Sequence, residues 1–273
     1  MTFYLHKNEP IAPGLRRIAH EQIGNVLGAL AHDAVPAEEK VHGLRTCCKK
    51  MRSLLRLARP VLGDTYKAQD KKFRKAAKHL AGHRDDEVVA KTIASLDGQA
   101  EKTRAPGLPV PLEVIERSES ILRECETTVD GWPLDAGGFD DIVVGFAWTY
   151  QKCLDAWDAV QSEPSDDAFH KLRRFTKYHW YQVRILERLN KDAIRERRKS
   201  LHRLQLVLGD AHDIVLLQES FAALDDPDTQ LLQRAIARKE ELYAEATGLC
   251  EVLYEPSADE LVADFTRRWA GGR

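Results

Sequence analysis

VHGLRTCCKKMRSLLRLARPVLG, residues 41–63, is the stretch that decides the fold. Val41, Leu44, Cys48, Met51, Leu55, Ala58 and Leu62 advance through it by alternating steps of three and four. Such steps return a side chain to one face of an α-helix on every turn, so the stretch predicts an amphipathic helix. A second ladder runs beside the apolar one: His42, Arg45, Lys49, Arg52, Arg56 and Arg59 step by 3, 4, 3, 4 and 3. These groups repeat about every 5 Å along the helix axis. Like charges at such spacing repel by a few tenths of a kcal/mol per pair. Elsewhere the chain interleaves its signs, as in RAIARKEE at 234–241. An undiluted cationic stripe implies that an anion supplies the counter-charge.

The stretch has a second copy. Residues 41–89 lie over 169–217 at an offset of 128 without a gap, pairing His42 with His170, Leu44 with Leu172, Arg45 with Arg173 and Lys49 with Lys177. Arg56 falls on Arg184, Lys71 on Lys199, Leu80 on Leu208 and Asp85 on Asp213. The chain therefore reads as two copies of one helical unit, 1–130 and 131–273, divided by the loop DGWPLDAGG at 130–138. Periodicity predicts helices near 13–33, 37–60, 65–81, 85–97, 111–129, 138–160, 166–190, 192–208, 213–224, 228–254 and 257–269. Pro60 and Gly63 end the second; Gly82 and Gly209 stand where C-caps are wanted, and Asp85 and Asp213 where N-caps are wanted.

Composition excludes several classes. Of 273 residues 43% are hydrophobic and 31% charged, with 16 Gly and 11 Pro, which is neither collagen-like nor low-complexity. The net charge of −2 hides a segregation. Lys40–Arg84 holds 14 Lys/Arg against 2 acidic residues, and His170–Arg203 holds 12 against 3. The cationic groups that follow the stripes are Lys67, Lys71, Arg74, Lys75 and Lys78 in one copy and Arg195, Arg198, Lys199, His202 and Arg203 in the other. Five scattered cysteines without a CxxC pair read as buried thiols rather than a zinc site or a disulfide scaffold. No signal peptide is expected from MTFYLHKNEPIAPG, and no apolar run approaches the length of a membrane span. No metal, cofactor or catalytic motif of the P-loop, GxSxG or HExxH type is expected. The dipeptides His32-Asp33 and His212-Asp213 leave a metal-dependent HD-type phosphohydrolase as a minor alternative.

Two basic faces brought together would form a cleft rimmed by acidic residues, which duplex DNA would press against and be repelled by. A thin, densely charged chain fits better, and inorganic polyphosphate has that shape. Single-stranded RNA is the competitor, because it also threads basic grooves and stacks on aromatics. Phe175, Tyr178, Trp180 and Tyr181 supply aromatics in the second copy, but the first window has only Tyr66 and Phe73.

The patterns HGLRTCCKKMRSLL with LAGHRDDEVV, and HKLRRFTKYHWYQVRILERL with LHRLQLVLGDAHDIVLL, resemble the two halves of the CHAD family, the conserved histidine α-helical domain. The family's His, Arg at +3, Lys at +7 and Arg at +10 is met by His42, Arg45, Lys49 and Arg52, and by His170, Arg173 and Lys177, with Trp180 standing where an Arg is usual. Either His179 or Arg174 compensates, or the channel is less basic on that side. The LGxxRD-like half-motif is met as Arg84-Asp85 and His212-Asp213. The resemblance implies an all-α fold of two pseudo-two-fold-related four-helix bundles with a basic channel between them. It implies non-catalytic binding of inorganic polyphosphate and a cytoplasmic, granule-associated role. No ExExK signature of the triphosphate tunnel domain is present. The expected contacts are His42, Arg45, Lys49, Arg52, Arg56, Lys71, Arg74, Lys75, Lys78 and Arg84 from the first copy, with His170, Arg173, Arg174, Lys177, Arg184, Lys199, His202 and Arg203 from the second.

Overall fold

The computed structural model describes residues 3–80, 85–96, 111–134, 138–187 and 191–271. Among them there are eleven α-helices and no strand, so the fold is all-α. In chain order these are α1 (Ile11–Leu30), α2 (Ala37–Leu57), α3 (Arg59–Leu62), α4 (Asp64–His79), α5 (Asp85–Leu96) and α6 (Leu112–Glu126). After a 3-10 turn at Val129–Gly131 come α7 (Phe139–Ser162), α8 (Asp166–Leu186), α9 (Lys191–Ala222), α10 (Thr229–Leu253) and α11 (Ala258–Gly271).

The apolar ladder of 41–62 is buried throughout. It lets α2 pack on α1 and α4, while α6 packs on both α4 and α1, closing a ring of four helices. In the other half α7 packs on α8, α8 on α9 and α9 on α10. Tyr150 of α7 ties the far end of α10 down by donating to the carbonyls of Leu253 (3.2 Å) and Pro256 (2.7 Å). Ser165 and Asp228 cap α8 and α10 by accepting from Ala168 N, and from Gln230 N and Leu231 N, as N-caps do.

One break predicted from sequence does not exist. The expected helices 192–208 and 213–224 are one continuous helix, α9. Gly209 is not a C-cap and Asp213 is not an N-cap; both lie in its interior. Leu204, Val207, Leu208, Ala211, Ile214 and Leu217 carry the buried stripe straight across Gly209. That burial outweighs the roughly 1 kcal/mol by which glycine disfavours a helix. In the first copy α4 stops at His79 and α5 starts at Asp85. Gly82 and the capping side chain of Asp85 lie outside the described residues, as does Arg84.

The halves meet along α2 and α8. Ser53 donates to the Tyr178 carbonyl at 2.8 Å, and Gln182 donates to the Ser53 carbonyl at 3.4 Å and to Thr149 of α7 at 2.9 Å. Arg56 lies over the Tyr178 ring, 4.1 Å from its centroid. Lys50 and Arg184 share the Phe3 ring, at 5.2 and 5.6 Å. Position 50 thus faces 184, 53 faces 178 and 182, and 56 faces 178, which is an antiparallel crossing. Under the offset of 128, the contact of Arg56 with Tyr178 is the image of the contact of Lys50 with Arg184. Gly145 makes the neighbouring α7 approach possible: a Cβ there would stand 2.7 Å from the Arg56 carbonyl and closer still to that of Leu57.

Candidate functional site

The basic stripe of α2 lies in the groove between α4 and α8. Arg52 and Arg56 fix its position by reaching Asp70 of α4 at 2.9 and 2.8 Å while standing on the Tyr178 ring of α8. Burial works to raise the Asp70 carboxyl, but the Arg56 and Arg52 guanidinium groups overcome it and hold the group below the usual carboxylate range. Arg56 itself is buried, at 8% exposure. Its cation is already neutralised, and it fixes the floor of the groove rather than facing outward. Further along, Arg45 donates to the Leu80 carbonyl at the end of α4 at 2.5 Å. His42 is exposed, and Lys49 is half-buried on the same ladder.

On α4, Gln69, Phe73 and Ala76 face the core. Asp70 reaches toward α2, and Lys72 turns the other way to Glu124 of α6 at 2.7 Å. Around the helix Arg74 lies next to Asp70 on the α2 side, Lys78 and Lys71 point away from the core, and Lys75 lies toward the Lys72 side. All four are exposed. Among the described residues, none of the four makes an ion pair or hydrogen bond. By contrast, Arg117, Arg123, Arg238, Arg267 and Arg268 each hold a carboxylate three or four residues away.

The second copy is built from the same positions with different counter-charges. His170 is exposed on α8, and its Nδ1 stands 3.3 Å from Nδ1 of His212 on α9. Burial, then Arg173 and Arg174, lower the His170 pKa and favour neutral imidazole. Arg174 is exposed with its guanidinium over Phe175, 5.0 Å from the ring centroid. Arg173 and Lys177 are half-buried. On α9, Lys199 pairs with Glu196 at 2.7 Å, and Arg203 holds Glu245 of α10 in a two-pronged bond at 2.5 and 2.8 Å. Both cations therefore carry a counter-charge of their own, unlike their first-copy counterparts Lys71 and Lys75.

Trp180 shows how the departure from the family pattern is absorbed. Its indole is half-buried, with Arg184 over it at 4.9 Å and the His202 ring stacked on it at 5.2 Å. His179 does not compensate. It is fully buried between Phe146 and Tyr150, accepts from Arg197 at 3.3 Å, and burial drives its pKa well below the ordinary value. Arg198 occupies the position equivalent to Asp70 and is paired at 3.2 Å with Glu187, which itself stands where the first copy has Arg59. In the first copy two arginines share one aspartate; in the second, Arg184 and Arg198 stand near one glutamate. Over the equivalent positions, Arg52, Arg56, Arg59 and Asp70 carry a formal +2 and Trp180, Arg184, Glu187 and Arg198 a formal +1, so the second copy is less basic here. Sequence reading names Arg198 among the cations after the second stripe but not among the expected contacts, although Asp70 falls on it at the same offset.

Chemistry other than charge is sparse. No group of three His, Cys, Asp or Glu side chains able to hold a metal ion occurs among the described residues. The five cysteines are free and buried, and burial pushes the thiols of Cys48, Cys125 and Cys153 up to about 12. Among the described residues, no helix is long and apolar enough to cross a membrane.

The family model of the CHAD domain matches residues 17–222, from the first turns of α1 to the end of α9. No curated protein and no solved structure matches the chain. With two stripe helices, their repeat and a family match over most of its length, the chain belongs to the CHAD family.

Proposed function

We propose that this chain binds inorganic polyphosphate without transforming it, through one basic surface to which both halves contribute, and that it does so at polyphosphate granules in the cytoplasm. The observation that carries the reading is the outward cationic face of α4, Lys71, Arg74, Lys75 and Lys78, unpaired among the described residues, with Arg74 nearest the α2 stripe. The antiparallel contact of α2 with α8 supports a shared surface. A two-fold axis relating two antiparallel helices runs across both, so equivalent faces lie on the same side of the pair. His42, Arg45, Lys49 and Arg52 then share a side with His170, Arg173, Lys177 and Arg184, flanked by Lys71, Arg74, Lys75 and Lys78 and by Arg174, Lys199, His202 and Arg203. Arg84 belongs to the same proposal by its motif.

Successive phosphates neutralise the cations that hold no carboxylate and compete with Asp70, Glu196 and Glu245 for Arg52, Lys199 and Arg203; counterion release makes binding weaken steeply with salt. Arg can engage two phosphate oxygens at once, whereas Lys acts as a point charge. Polyphosphate is favoured over RNA because the aromatic faces are occupied: Arg56 covers Tyr178, and Arg184 and His202 cover Trp180. An RNA base would have to displace them to stack.

The test is a titration with long-chain polyphosphate, and with RNA of matched charge, at 50 and 200 mM salt. The variant is the quadruple substitution Lys71→Gln, Arg74→Gln, Lys75→Gln, Lys78→Gln. Polyphosphate is expected to bind more tightly than RNA. The variant is expected to lose on the order of tenfold or more in affinity and to show a shallower salt slope. Equal affinity of variant and wild type, or tighter binding of RNA, would overturn the reading.

A further inference from the structure

We propose that His212 is a further anion-binding residue and that the His170–His212 pair takes up a proton when phosphate binds, so that the second half holds the polyanion more tightly as pH falls. This rests on the polyphosphate reading above. It is carried by the contact between α8 and α9. The two imidazoles stand with ring centroids 4.6 Å apart and Nδ1 atoms 3.3 Å apart, at the mouth of an open cavity of about 390 Å³. Gly209, one turn before His212, lies 4.0 Å from the Arg173 guanidinium when given a Cβ, so α9 runs beside the α8 stripe there.

In the first copy the position equivalent to His212 is Arg84, a permanent cation. In the second copy a titratable ring stands there against another titratable ring. Two imidazoles in contact cannot both be charged without cost, so each opposes the protonation of the other. A phosphate oxygen beside them supplies negative charge and accepts the N–H that protonation creates.

The surrounding charges permit this. From α8, Asp166, Asp167, Arg173 and Arg174 face the pair. Asp166 is taken up by Lys239 and Tyr243 of α10, at 2.9 Å each at closest, which leaves it little influence on the pair. From α9 come Glu219 and the neighbouring Asp213. Asp167 and Glu219 act to raise the His170 pKa, but burial with Arg173 and Arg174 outweighs them. A bound phosphate reverses that balance.

The measurement is the affinity of full-length wild type, His212→Arg and His212→Gln for long-chain polyphosphate at constant ionic strength from pH 8 to pH 5.5. Histidine ring signals are followed by NMR at each pH. Wild-type affinity is expected to rise as pH falls, by up to about tenfold per unit through the titrating range, as uptake of one proton allows. His212→Arg is expected to bind at pH 8 about as tightly as wild type does at low pH, with a flatter profile. His212→Gln is expected to be flat and weak, and it keeps the test open should the arginine variant fail to fold. Adding polyphosphate at pH 7 should move the His170 and His212 signals toward their protonated positions. If wild type binds polyphosphate but its pH profile is unchanged in both variants, this proposal falls and the polyphosphate reading stands. If wild type binds no polyphosphate at any pH, both fall.

Discussion

At the scale of single residues, the basic groups divide by what already neutralises them. Arg56 and Arg52 spend their charge on Asp70, and Arg203 on Glu245, whereas Lys71, Arg74, Lys75 and Lys78 have no carboxylate among the described residues. The ladder of residues 42–59 gives all its members the same spacing, so nothing local in sequence separates Arg56 from Arg45. What separates them is Tyr178 and Asp70, which are brought in by other helices. Asp70→Asn is expected to destabilise the protein by about 2–4 kcal/mol, because Arg56 stays buried without its counter-charge. The sign of the pH effect follows from the depressed carboxyl. The folded state holds Asp70 ionised more strongly than the unfolded chain does, so its contribution is complete above the unfolded pKa, about 4, and is lost as pH falls through the lower folded value. Urea midpoints at pH 7 and pH 3 check this: wild type and variant should differ at pH 7 and converge in acid. An equal gap at both pH values would show that the loss is not ionic.

At the scale of elements, periodicity located the helices and their buried faces, as α2 shows, but not every end. Gly209 and Asp213 have the chemistry of a helix boundary, and in isolation they would favour one. Burial on both sides of Gly209 holds α9 together as 32 residues. Close approach is the other feature that periodicity does not report. Gly145 and Gly28 both sit inside helices, yet a Cβ at Gly145 would run into the backbone of Arg56 and Leu57 while one at Gly28 meets nothing within 4 Å. Gly145→Ala is expected to cost about 1–3 kcal/mol, since α7 must move off the end of α2. Gly28→Ala is expected to gain about 0.5–1 kcal/mol by helix propensity. Thermal unfolding of the two variants side by side tests the pair, and the predicted packing would be wrong if both moved in the same direction.

At the scale of the whole molecule, one apolar cluster contains residues of both halves, and Phe3 and Leu5, near the start of the chain, pack on the second half. Phe3 packs on Tyr181 at 5.7 Å, and Leu5 donates its N–H to the Ile185 carbonyl at 2.8 Å. On the proposed function, this junction would give a polyanion one continuous track across both basic faces. A polyphosphate long enough to touch both gains the second set of contacts as an intramolecular event. Affinity per chain is therefore expected to rise with chain length and then level off once both halves are engaged. Calorimetry with length-fractionated polyphosphate checks this, and equal affinity for the shortest and longest fractions would argue that only one half binds.

The sequence by itself determined the all-α class, the buried face of α2, the repeat at offset 128 and the two cationic stripes. Each of these is a matter of spacing along one chain, and helix geometry turns spacing directly into a face. Only the tertiary structure decided which cations remain available, that His179 lies in the core, that Arg198 pairs with Glu187, and that His170 meets His212. These depend on partners 11 to 42 residues apart or in another helix. Coulomb energy, desolvation and hydrogen bonding act through distance in space, which the order of residues does not fix until the helices are packed.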